Sequence, residues 1–96
     1  MRILGKEGEE ENYDVAGNIC ESGDILGKER RLPKVSRGDV LAILDAGAYG
    51  FSMASEYNAN PLPAEVLVRG RKAELIRKRR TYEDLLTGQV IPKDLK

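Results

Sequence analysis

The one cysteine of this 96-residue chain, Cys20, stands beside a carboxylate, Glu21, at the head of the run Cys-Glu-Ser-Gly-Asp. A lone cysteine is most often a small hydrophobe packed in a core. Here Cys20 closes a predicted strand and precedes a glycine-containing turn, where a side chain is presented rather than packed. A thiol with an ordinary pKa of about 8.5 keeps its proton at neutral pH and can act as a weak acid without tuning. Glu21 taken alone is a surface or capping carboxylate. Tyr49 is the other candidate, set between Gly47 and Gly50; in isolation it reads as an aromatic at a core edge. The chain has no histidine, which excludes histidine metal sites and Ser-His-Asp chemistry. It has no glycine-rich phosphate loop either.

The composition narrows the partners. Sixteen basic and sixteen acidic residues cancel, and a third of the chain is charged. That balance argues for a densely ionised surface and against a strong global pull toward nucleic acid or membrane. The basic cluster Arg69, Arg71, Lys72, Arg77, Lys78, Arg79 and Arg80 could hold phosphates. With one Phe, no Trp and no nucleic-acid motif, it reads instead as a solvated hairpin face. No apolar run approaches the roughly 20 residues needed to cross a bilayer. A single cysteine forms no internal disulfide and suits a reducing cytoplasm.

The elements that must position these residues are short. Residues 1–14 read as a charged, flexible lead-in, because Glu7, Glu9, Glu10, Glu11 and Asp14 crowd around Gly8. Tyr13 to Cys20 reads as a strand with Tyr13 and Val15 on one side, broken by Ser22-Gly23-Asp24. Asp24 to Leu32 begins apolar and turns charged, which suits an edge. Val40 to Leu44 is apolar on both parities and predicts a central strand. Phe51 to Tyr57 predicts a short helix that Pro61 and Pro63 prevent from continuing. Glu65 to Arg80 predicts a hairpin around a type II′ turn at Gly70-Arg71. Thr81 and Asp84 predict a capping box for a short helix through Leu86, ended near Gly88. The expectation is a mainly β domain over residues 15–88, a partial barrel or sandwich of about five to six short strands with one or two short helices. A tail follows over 89–96.

Read in order, Cys20 to Asp24, Asp45 to Gly50, Tyr57-Asn58 and Pro63 to Val68 resemble the C-terminal β-domain of diaminopimelate decarboxylases. The resemblance runs from about Tyr13 to about Leu86. That family is pyridoxal-phosphate dependent, of the alanine-racemase-like fold type, and makes L-lysine from meso-diaminopimelate. The resemblance implies that Cys20 donates a proton to the substrate carbon after CO₂ leaves. It implies that Glu21 pairs with the distal ammonium of the substrate, a charge-assisted contact that calls for an acid. It implies that Tyr49 reaches both the cofactor phosphate and the substrate, while Ser22, Gly23 and Asp24 shape the turn.

Family members also carry an N-terminal (β/α)₈ barrel with the cofactor lysine, and a barrel needs more than about 200 residues. None of Lys6, Lys28 or the other lysines stands in a cofactor-strand context, and Arg2 lacks the tyrosine of the family's upstream element. No covalent pyridoxal phosphate is therefore expected on this chain. The implied partners are a decarboxylase barrel or a second copy, with a small diamino acid as substrate and no nucleic acid or membrane. Alone the chain is expected to be catalytically silent. The alternative reading is a non-catalytic module that docks on a full-length decarboxylase; a small nucleic-acid binder ranks below both.

Overall fold

Turn formers recur every few positions, so no strand in the computed structural model, which describes residues 1–96, exceeds nine residues. Two compact units divide the chain, Met1–Ala48 and Tyr49–Lys96. This boundary falls inside the stretch that the sequence assigns to one β-domain.

In the first unit, β1 (Arg2–Ile3) pairs antiparallel with β4 (Leu41–Ala42), and β2 (Glu10–Ala16) pairs antiparallel with β3 (Ile25–Pro33). The acidic lead-in is therefore not a loop throughout. Successive side chains of a strand point to opposite faces. Tyr13 and Val15 turn inward and are half-buried, while Glu10, Glu11, Asp14 and their neighbours stay exposed. Like charges are tolerated in β2 because solvent takes them. Tyr13 adds a tie of its own: its hydroxyl accepts from Val35 N at 2.9 Å and donates to Glu11 Oε2 at 3.0 Å.

The ladder shifts register after Tyr13 and again after Val15. Opposite the first shift, Glu29 takes a left-handed φ of 51°, and its N–H donates to Asp14 Oδ1 at 2.9 Å. A side chain thus replaces the missing ladder bond, as a bulge requires. Lys6 ties the β1–β2 loop to the β3–β4 loop, with Nζ 2.6 Å from Asp39 Oδ2 and 3.0 Å from the Lys34 carbonyl. The Lys6 hydrogen bond, helped by Ser36 N, holds the Asp39 carboxyl below its ordinary range.

Val40 to Leu44 is not the expected central strand. Only Leu41 and Ala42 pair, and Val40 is 58 % exposed. The apolar residues are present, but one two-residue neighbour, β1, gives them a ladder on one side only. The core of this unit is correspondingly small, with Ile3 and Leu32 as its buried large side chains at 4 % and 3 % exposure.

In the second unit the hairpin forms as expected: β5 (Glu65–Arg69) pairs with β6 (Lys72–Arg77) around Gly70-Arg71. Of the two turn residues only Gly70 has a positive φ, 59°, the pattern of a II′ turn. Arg77 reaches Glu65 Oε2 at 2.5 Å and lies 4.4 Å over the Phe51 ring. Arg69 pairs with Glu74, and Arg80 with Glu56, so three of the seven clustered cations are neutralised on the spot. The capping box is present: Thr81 N donates to Asp84 Oδ2 at 2.7 Å and Asp84 N donates to Thr81 Oγ1 at 3.2 Å. It opens a single 3₁₀ turn, Glu83–Leu86.

The helix expected over Phe51 to Tyr57 is displaced. One α-turn, α1 (Gly47–Gly50), precedes it and a 3₁₀ turn, Tyr57–Ala59, follows it. Asn58 and Ala59 both adopt φ 58°, which reverses the chain before Pro61 and ends any helix.

The fold is mainly β with few short helices, as expected. Its six strands are spread over three two-stranded sheets and no barrel closes. The accessible surface is 8586 Å². Even two separate compact bodies of half the mass would expose only about 6,600 Å² together by area–mass scaling. Large apolar side chains are among those exposed: Val66, Val68 and Leu75 share one face of the hairpin, and Val90 is 86 % exposed.

Left-handed backbone costs a residue with a Cβ about 1–2 kcal/mol, and Ala59 has no side-chain hydrogen bond to compensate. Ala59→Gly should therefore raise the urea midpoint at unchanged slope. The expected gain is about 0.5–1 kcal/mol once the greater freedom of glycine in the unfolded chain is subtracted. A lowered midpoint would refute strain at this position.

Candidate functional site

The loop that joins β2 to β3 spans residues 17–24 and carries both Cys20 and Glu21. Local polar bonds, rather than burial, fix its path. Gly17 N donates to the Asp24 carbonyl at 2.9 Å, so the loop is closed at its base. Asp24 N donates to the Glu21 carbonyl at 3.0 Å, and Gly23 N donates to Glu21 Oε2 at 2.5 Å. Glu21 thus folds its own turn, the way short acidic and amide side chains do elsewhere. Asp24 Oδ2 accepts from Ile19 N at 3.2 Å. Cys20, next in the chain, is exposed.

Cys20 and Glu21 are therefore brought together on one loop, both exposed, with the Glu21 carboxylate bonded to Gly23 N. Tyr49 is not part of that loop. It lies in α1 at the start of the second unit, 68 % exposed, and its carbonyl accepts from Met53 N at 3.0 Å. Its glycine neighbours leave room: a Cβ added at Gly47 or Gly50 would meet nothing within 4 Å. An exposed phenol such as that of Tyr49 can donate one hydrogen bond to an anionic oxygen.

Surface grooves lie elsewhere. One of about 820 Å³ is lined by residues that include Arg2, Lys6, Glu10 and Arg31, and an apolar one of about 220 Å³ by Ile3, Val15, Leu32 and Leu41 among others. In the second unit a groove of about 350 Å³ runs past Glu56, Tyr82 and Leu86. None takes in Cys20, Glu21 or Tyr49. No three His, Cys, Asp or Glu side chains converge as metal ligands, and no helix is long and apolar enough to cross a membrane.

Sequence reasoning assigns Asp24 to the turn and gives Gly17 no role beyond the strand. Both contribute to holding the Cys20 loop. The readable signal is an aspartate that closes a short loop, where its side chain can capture a backbone N–H.

Residues 2–47, nearly coincident with the first unit, match the family described as the C-terminal sheet domain of pyridoxal-dependent decarboxylases. The diaminopimelate decarboxylase of Methanothermobacter thermautotrophicus is 58 % identical over 85 residues, 88 % of this chain and 20 % of that protein. Residues 2–47 belong to this C-terminal sheet-domain family of pyridoxal-dependent decarboxylases. The Archaeoglobus fulgidus diaminopimelate decarboxylase is 54 % identical over 84 residues, again 88 % of this chain and 20 % of the relative. Among solved structures, that of the M. jannaschii diaminopimelate decarboxylase superposes with a TM-score of 0.86 at 48 % identity, covering 94 % of this chain and 21 % of that one. The same enzyme in co-complex with L-lysine gives the same values. The family match lies in the unit that bears the Cys20 loop, and the similarity to whole decarboxylases extends into the second unit. The chain spans about a fifth of the length of the curated relatives it matches.

Proposed function

We propose that this chain acts as the C-terminal β-domain of a diaminopimelate decarboxylase, contributing to the conversion of meso-2,6-diaminopimelate to L-lysine and CO₂. The observation that carries the reading is the exposed, locally braced Cys20–Glu21 loop inside a region closely similar to diaminopimelate decarboxylases. Pyridoxal phosphate supplies the electron sink for such a reaction when bound. In the proposed scheme Cys20 Sγ gives its proton to the carbon that has lost CO₂. A positioned acid of this kind typically accounts for a rate factor of 10² to 10⁴. Glu21 would offer its carboxylate to the distal ammonium of the substrate, and the Tyr49 hydroxyl would donate a hydrogen bond to a cofactor phosphate oxygen. The partner is a cytoplasmic decarboxylase barrel, with a second copy of the chain as the other candidate cover for its apolar surface.

A chimera tests the reading, with this chain replacing the matching fifth of the M. thermautotrophicus decarboxylase. It should make lysine. Cys20→Ala should lower kcat by roughly 10²-fold or more. Glu21→Gln should mainly raise KM, by roughly 10- to 150-fold for a lost charged hydrogen bond. Tyr49→Phe should raise the cofactor concentration needed for full activity. An active chimera in which Cys20→Ala and Glu21→Gln leave turnover unchanged would reduce the loop to a docking element, and the catalytic reading would fail.

The 96-residue chain by itself should hold no covalent pyridoxal phosphate, because no lysine stands in the sequence context of the family's cofactor lysine. Borohydride reduction followed by mass analysis checks this; one stoichiometric phosphopyridoxyl-lysine contradicts it.

The uncovered apolar surface should make the isolated chain associate or unfold easily. Sedimentation across concentration should show a rising mean mass or a poorly folded monomer. A single stable monomer at every concentration would count against a missing partner.

A further inference from the structure

A loop of eight residues that is exposed at its tip has little apolar contact to fix it, so its geometry must come from polar bonds at its base. In the loop over residues 17–24 those bonds converge on Asp24. Its carbonyl accepts from Gly17 N at 2.9 Å, its N–H donates to the Glu21 carbonyl at 3.0 Å, and its Oδ2 accepts from Ile19 N at 3.2 Å. The backbone bonds would survive any side chain at position 24. The carboxylate bond to Ile19 would not, and it is the one that reaches the residue preceding Cys20.

Gly17 faces this carboxylate directly. A Cβ at Gly17 would overlap Asp24 Oδ2, Cγ and Oδ1 together. The Gly17 backbone has no positive φ, so glycine here answers a need for space and not for conformation. An aspartate side chain is too short to move aside and keep its bond to Ile19. Glycine at 17 and the acid at 24 therefore form one device.

We infer that Asp24, with Gly17 as the space it occupies, is the positioning residue that sets Cys20 for proton delivery. The inference rests on the decarboxylase reading and adds a residue to it. Asp24 acts through the Ile19 peptide, one residue from the thiol. It should act less on Glu21, whose carboxylate is held by Gly23 N without help from the Asp24 side chain. Loss of the Asp24 carboxylate should accordingly appear in kcat and spare KM.

The test uses the decarboxylase chimera, read by kinetics and by amide exchange. In the chimera, Asp24→Ala should lower kcat by roughly tenfold or more, the factor for a lost charged hydrogen bond, with KM within about twofold. Asp24→Asn keeps an acceptor oxygen and should recover kcat to within about threefold of the unmodified chimera. Gly17→Ala should match Asp24→Ala, and the double variant should be no worse than either, because both break the same bond. Unchanged kcat in Asp24→Ala, no rescue by Asn, or additive losses in the double variant would each overturn the inference. In the same chimera, exchange of the Ile19 amide should accelerate at least tenfold in Asp24→Ala and return with Asp24→Asn; unchanged exchange overturns the positioning role. An inactive unmodified chimera counts against the decarboxylase reading alone, and the Ile19 exchange rates then decide the role of Asp24.

Discussion

The antiparallel pairing of β2 with β3 is the constraint on which the candidate site depends. It is the longest ladder in the chain, and the Cys20 loop is simply its far connection. Period-2 alternation selects which side chains face inward, so Tyr13 and Val15 fix the face and the acidic residues between them go to solvent. Two register shifts then change the run of β2 in its last four residues, just before the loop. A bulge bends and twists a strand, and here it is pinned by Asp14 on the Glu29 amide. The direction in which Cys20 and Glu21 leave the sheet is therefore set by a polar side chain, not by a packed interior.

The first unit compensates for its two-residue core in the same way. Lys6 against Asp39, Tyr13 against Val35 N, and Asp14 against Glu29 N each join segments far apart in sequence by one polar contact. Exposed contacts of this type are individually weak, and the median surface ion pair is worth about 0–1 kcal/mol. They specify a path more than they stabilise it. The second unit repeats the pattern with Arg77 between Glu65 and Phe51, and Arg80 between Glu56 and the Asp84 carbonyl. Charge is also divided unevenly. The first unit carries ten acids against seven bases, and the second carries six against nine.

What could be read from the sequence was whatever local chemistry decides. The hairpin followed from Gly70 and the β-branched residues around it, and the Thr81–Asp84 box from side chains three residues apart. The turn at Ser22-Gly23-Asp24 followed from its residues, but the strand expected through Cys20 ends at Ala16, so Cys20 sits within the loop and not at a strand end. Misreadings arose where a non-local partner decides. Val40 to Leu44 has the composition of a central strand, but composition cannot show that only β1 is there to pair with it. Glu10 to Asp14 looked like a loop because strand pairing, which turns those acids outward, is invisible along one chain. Phe51 to Tyr57 had a plausible helical face, and the left-handed pair at Asn58 and Ala59 lies beyond what residue type alone indicates for an alanine.

These two classes of interaction also divide the work of a catalytic domain. Burial is what the chain lacks: the apolar faces of the hairpin and the Val40 to Leu44 stretch remain open, and area of that kind is worth about 25 cal/mol per Å² when covered. A partner surface could supply that energy without touching the bonds among Gly17, Ile19, Glu21, Gly23 and Asp24. Those bonds are, in turn, made within the loop itself. Preorganised donors and acids cost no rearrangement when the reaction occurs. In the proposed reading, a domain arranged this way would carry Cys20 ready-set and rely on docking only to bring it to the substrate.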